Sequence, residues 1–132
     1  HVLPVFVPPW NRLPSSLITP LAKAGYKGLS TYKARKSDYP AAGLVQNNCH
    51  ADPVNWRQDS CFLGEAESLA SITAHLVARR TDSMDSTEIT GFLTHHLVQD
   101  TKTWNFLQKF FTWTAEQPTV HWLDAREVFK LP

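Results

Sequence analysis

Charge is scarce in this 132-residue chain and nearly balanced. Charged residues make up 19 % of it, and the formal net charge is +1. That leaves no electrostatic case for binding nucleic acid or an anionic membrane. Long apolar runs are also missing, and none approaches the roughly 20 residues a membrane helix needs. The apolar opening, residues 1–9, has no charged leader and no small-residue cleavage motif, so it does not read as a signal peptide. The two cysteines, Cys49 and Cys61, lie twelve apart with no C-x-x-C spacing. This speaks against a structural zinc site, and two free buried thiols are expected rather than a disulfide. No internal repeat of fixed period is visible.

What remains is an ordinary globular composition, 42 % hydrophobic, long enough for one compact domain and too short for two. The five Trp residues are many for this length. Trp supplies core area, and it also stacks on sugar rings in binding clefts. Leu3 to Val7 reads as a buried strand stopped by Pro8-Pro9. Ser15 to Ala24 reads as a helix closed by Gly25, with Pro20 suited to a first helical position if the helix starts at Thr19. Lys27 to Tyr32 is a short strand. The basic loop after it, with Lys33, Arg35 and Lys36, is expected to be solvated. Gly43 to Gln46 is a further apolar stretch.

Gly64 to Arg80 is the clearest helix. Ala66, Leu69, Ala70, Thr73, Leu76 and Val77 make one apolar stripe, the kind that faces a core. Ile89 to Leu97 reads as a strand ending in T-H-H-L. Asp100 is a natural N-cap for a helix to about Glu116. There Trp104, Leu107 and Phe111 share one face and Phe106, Phe110 and Trp113 another, and both Trp104 and Trp113 are expected in the core. Thr119 to Leu123 reads as a last strand, with Asp124 capping a terminal turn. Strand–helix alternation predicts an α/β fold with mainly parallel strands and helices on one face. The chemically unusual residues follow the strands: Pro9-Trp10-Asn11-Arg12, His50 to Trp56, and His95-His96. That is where a (β/α) barrel keeps its functional groups. Four or five strands make a little over half of such a barrel.

The motifs V-P-P-W-N-R, N-x-H-x-D-P-x-x-W and G-F-L-T-H-H-L, in this order, resemble the later motifs of the NodB-homology polysaccharide deacetylases. The likeness is to a bacterial branch reading P-P-W-N-R, G-L-S, H-x-D-x-x-W-R, G-E and L-T-H-H-L, and it runs from Val2 to about Phe111. It implies a partial (β/α) barrel whose N-terminal part is missing, residues 1–132 being the C-terminal part of a deacetylase-like domain. It also implies amide hydrolysis of N-acetyl groups on carbohydrate, in the bacterial cytoplasm or envelope. On this resemblance His95 is the acid that protonates the leaving amine, a role that suits a group titrating near neutrality. Arg12 falls in the third-motif region, although after Trp10 rather than before the Pro. Trp56 matches the aromatic that lines the acetyl pocket, and Trp10 is a second substrate-binding candidate. Asn55 stands where the family usually has Asp, so Asp52 is the candidate carboxylate.

The family's divalent metal, zinc by expectation, is held by motifs of the T-F-D-D-G and H-S/T-x-x-H types. Neither occurs here, so no metal is expected in this chain, and the chain alone is expected to be inactive. Its expected partners are an N-acetylated carbohydrate and either the missing N-terminal half or another copy of itself, with no nucleic acid and no membrane. Without the resemblance, His50 and His121 read as structural or exposed and His75 as a packing residue. Two other functions stay open: a carbohydrate-binding module using Trp10, Trp56 and Tyr32, and a non-catalytic domain that completes a barrel.

Overall fold

Parallel pairing in chain order carries the fold. The computed structural model describes residues 2–132. β1 (Val5–Phe6), β2 (Gly28–Leu29) and β3 (Val45–Gln46) lie side by side in that order, all parallel. β4 (Cys49–Ala51) follows at once. β5 (Val54–Asn55) and β6 (Cys61–Phe62) form a small antiparallel hairpin, which the sequence did not announce. β7 (Gly91–Phe92) then pairs in parallel with β4. Hydrogen bonds beyond the strands join the two parallel sets: Asn47 N–H donates to Leu29, Cys49 N–H to Thr31, and Lys33 N–H to Cys49. Residues 45–51 thus run along β2 on one side and β7 on the other. Among the described residues no strand pairs with the outer edge of β1 or β7, and the sheet does not close into a barrel.

Among the described residues the α-helices are α1 (Ile18–Lys23), α2 (Glu65–Arg80), α3 (Thr101–Ala115) and α4 (Ala125–Val128). No helix among the described residues is long and apolar enough to cross a membrane. A 3-10 turn, Ser15–Leu17, leads into α1. Pro20 is the third helical residue, where its missing N–H would have had no partner anyway. Gly25 ends α1 at φ +96°. Its N–H bonds to Ala22 and that of Tyr26 to Leu21, the paired closure that left-handed glycine permits.

α2 turns out the opposite way from its apolar stripe. Ser68 and His75 are buried and Ile72 is half-buried, whereas Leu69, Leu76 and Val77 are exposed. The inward face is set by what β4 offers: the His75 ring stacks on His50 of β4, and small Ser68 allows close approach. α3 starts at Asp100, whose carboxylate accepts from the N–H and hydroxyl of Thr103. It buries Thr103, Phe106, Leu107 and Thr114, with Phe106 against Phe62 and Phe110 against Phe92. Trp104 and Trp113 are exposed, not core. The expected strand Thr119 to Leu123 does not form. Trp122 folds back on α3 instead, its indole N–H donating to Thr114 and its ring against Phe111. The strand expected over Ile89 to Leu97 is reduced to Gly91–Phe92, followed by a turn that begins at His95. α4 carries a capping box between Asp124 and Glu127. It sets Phe129 over Gly28, where any side chain would collide with the ring.

A polar network, not only an apolar core, fixes the sheet. Glu88 is 0 % exposed. Its carboxylate accepts the backbone N–H groups of Arg35 and Asn48 at 2.9 and 3.1 Å. Asn47 exchanges two hydrogen bonds with the backbone of Ile89. The Asn48 carboxamide binds Thr31, Gln46 and Lys33. Arg35 is not solvated as expected: it pairs with Asp85 at 2.7 Å and donates to the Gln46 carbonyl. Lys33 and Lys36 are exposed. Replacing Glu88 by Gln sets an amide N–H₂ against one of the two backbone donors. The expected loss, read from urea unfolding, is roughly 1–3 kcal/mol. A variant as stable as the wild type would show that the carboxylate does not pin these segments.

Candidate functional site

The C-terminal ends of the parallel strands bring three of the five predicted site residues together. Asp52 directly follows β4, Trp56 lies in the turn of the β5–β6 hairpin, and His95 lies three residues beyond β7. His95 Nε2 is 2.9 Å from Asp52 Oδ2. The Trp56 indole N–H donates to the same oxygen at 2.8 Å, and the Val54 N–H donates to Oδ1 at 2.9 Å. The Trp56 and His95 rings meet edge to face at 4.8 Å. Asp52 therefore orients both aromatic rings, and the imidazole keeps Nδ1 for another partner. The His95 side chain is 21 % exposed and that of Asp52 11 %, so the pair is sheltered but reachable. Asn55 faces the hairpin turn, bonding Arg57 and Gln58. His96 is exposed.

Trp10 and Arg12 stand on the segment after β1, at the same end of the sheet but outside this cluster. The Asn11 carbonyl accepts the Tyr32 N–H, which ties that segment to the end of β2. Trp10 is 86 % exposed. It and Asn11 take left-handed backbone conformations, φ +60° and +51°, which non-glycine residues adopt at a cost. Arg12 is exposed, and its guanidinium has no hydrogen-bond or ion-pair partner among the described residues. Tyr32 is a neighbour that motif matching alone did not bring to Asp52. Burial raises its phenol pKa, and the nearby Asp52 and Cys49 raise it further. Both cysteines are free, and burial pushes the Cys49 thiol up.

Behind this end of the sheet lies a second constellation, His50, His75 and Glu88. One ligand-type atom from each lies within 4.8 Å of the others. The residue types suit a divalent cation, but the bonding does not. Gly91 N–H donates to His50 Nδ1 at 3.0 Å, so that nitrogen holds a lone pair. Neutral His50 must then carry its proton on Nε2, 3.4 Å from Glu88, where a metal would need a lone pair. The His50 and His75 rings also stack, 3.4 Å between centroids and 15° between planes, so their in-plane lone pairs run side by side instead of converging. His75 Nδ1 bonds Thr90 Oγ1 at 2.9 Å, while its Nε2 is buried without a partner among the described residues. Sequence spacing could not show this cluster, because His50 and His75 meet only when α2 settles on β4.

The cluster makes stability depend on pH. Burial, together with the nearby His50 and Arg79 and against the opposing Glu88, lowers the His75 pKa from 6.5 to about 4. The unfolded chain therefore takes up this proton first, and its contribution is lost as pH falls from about 6.5 towards 4. Burial raises the Glu88 carboxyl, but the His50 contact and the two N–H groups outweigh it, and the net direction is down. Its contribution is present above the ordinary carboxylate range and lost below it. The urea midpoint should fall between pH 6.5 and 4, and His75→Gln should flatten that fall. An unchanged slope in the variant would assign the pH dependence elsewhere.

No family model, curated protein or solved structure matches this chain.

Proposed function

We propose that this chain is the proton-donating part of a carbohydrate de-N-acetylase, the C-terminal portion of a deacetylase-like barrel. The observation that carries the reading is the meeting of Asp52, Trp56 and His95 at the C-terminal edge of a parallel sheet, where barrel enzymes gather their chemistry. The three come from separate motifs of the resemblance. In the proposed step, His95 is held through Nε2 by Asp52. Its imidazolium Nδ1–H is given to the leaving amine nitrogen as the C–N bond of the acetamide breaks. Asp52 accepts the Nε2–H throughout, which sets the tautomer. Trp56 offers an apolar wall beside the acetyl group, fixed by the bond its indole N–H makes. The step uses no metal ligand from this chain, because the His50, His75 and Glu88 set does not fit a metal and the family's metal motifs do not occur in the sequence.

A second reading, carbohydrate binding without catalysis, is favoured by the exposed aromatic residues at the same edge: Trp10, Trp56 and Tyr32. Both readings put N-acetylated sugar at this edge. They part on His95.

The chain alone should release no acetate from chitin oligosaccharides, with or without zinc. Joined to a half that carries the T-F-D-D-G and H-S/T-x-x-H motifs, it should do so. In that joined protein His95→Asn should lower kcat by roughly 10²- to 10⁴-fold with sugar affinity little changed. A completed, folded protein that binds sugar but turns nothing over would favour the binding module. Turnover by the isolated chain would overturn the account of where the metal is held.

A further inference from the structure

We infer that α2 is the interface of a two-fold dimer, its outward stripe laid antiparallel against the same helix of a second copy. Ala66, Leu69, Ala70, Thr73, Leu76 and Val77 all lie on the exposed side of α2, opposite Ser68, Ile72 and His75, which meet the sheet. Leu69, Leu76 and Val77 are 42, 43 and 49 % exposed. Strands added beside β1 or β7 would extend the sheet sideways and leave this face bare. The inference therefore stands apart from the functional reading above: completing a barrel does not cover the stripe.

The spacing and the charges select a second copy as the occupant. Positions 66, 69, 73, 76 and 80 recur at intervals of three and four, the seam of a two-helix contact. Thr73 lies midway between Ala66 and Arg80. With a two-fold axis at Thr73, an antiparallel copy sets Leu76 over the second copy's Ala70, large against small, and Leu69 beside its Val77. Arg80, at the C-terminal end of the seam, then meets the second copy's Glu65, and the symmetry makes this pair twice. Parallel pairing would set Arg80 against Arg80. Both side chains are free to pair. Arg80 is exposed with no hydrogen-bond or ion-pair partner among the described residues, and Glu65 makes only an exposed contact with Lys109 at 3.5 Å, which is weak.

Light scattering after size exclusion, combined with cysteine cross-linking of the full chain, tests this. The wild type should run as a dimer. Thr73→Cys should cross-link to itself under mild oxidation, the wild type serving as control for Cys49 and Cys61. Leu69→Cys should not cross-link to itself, but should cross-link to Val77→Cys when the two variants are mixed. Leu76→Glu, on an exposed position and checked for folding by circular dichroism, should give a monomer. Glu65→Arg or Arg80→Glu alone should weaken the dimer roughly tenfold, and the double exchange should restore it. A monomer at all concentrations, a dimer that survives Leu76→Glu, or self-cross-linking at position 69 as efficient as at 73 would overturn the inference. So would a folded monomer that binds a different protein through this stripe.

Discussion

A carboxylate sealed from water is the constraint on which this fold turns. An unpaired buried charge costs several kcal/mol, so Glu88 is tolerable only while its oxygens are occupied. Backbone N–H groups of Arg35 and Asn48 occupy them. The consequence is geometric: the loop after β2, the junction of β3 and β4 and the approach to β7 are held to one point. The two adjacent Asn side chains serve the same junction, Asn47 reaching Ile89 and Asn48 reaching back to Thr31 and Lys33. At this junction, beside the buried Leu29, Leu44, Val45 and Ala51, directional bonds set the register that hydrophobic contact would leave loose. Gly91 belongs to the same arrangement, since any Cβ there would collide with the Asn48 backbone.

The surface chemistry inherits that precision. Asp52 and His95 sit just beyond the ends of β4 and β7, so their 2.9 Å contact follows from strand register. One carboxylate there accepts three donors: a ring N–H from Trp56, a ring nitrogen from His95 and the Val54 amide. Fixing one group on two aromatic rings leaves little freedom for either. The buried pair behind it works differently. His50 and His75 are stacked and turned inward, and their bonds to Gly91 and Thr90 tie α2 to the β4–β7 seam.

Much of this was legible in the sequence. Alternating elements imply the parallel α/β class, the cap at Asp100 and the closing Gly25 stand where their residue types suggest, and Asp52, Trp56 and His95 stand out in their motifs. What escaped depended on partners. The α2 stripe looked like a core face because periodicity reports that a helix has two faces and not which one another element will choose. Trp104 shares helical spacing with the buried Leu107, and Trp113 with the buried Phe106, and only the position of β6 and β7 decides between them. Residues Thr119 to Leu123 have strand composition, but Trp122 finds a better surface on α3. Arg35 reads as a surface charge until Asp85, fifty residues on, closes over it.

The distance along the chain between those partners has a bearing on how the molecule forms. Glu88 accepts from Arg35 across 53 residues and from Asn48 across 40. Strands β1 to β3 can pair early, yet their junction stays unpinned until residue 88 arrives. Contacts of such separation are made late, after the loop-closure entropy has been met. On a ribosome, the first half of this chain would emerge and wait with two buried-to-be amides and a pair of asparagines still open to water. Assembly should thus finish in one late, cooperative step, with the sheet and the site at its edge becoming rigid together.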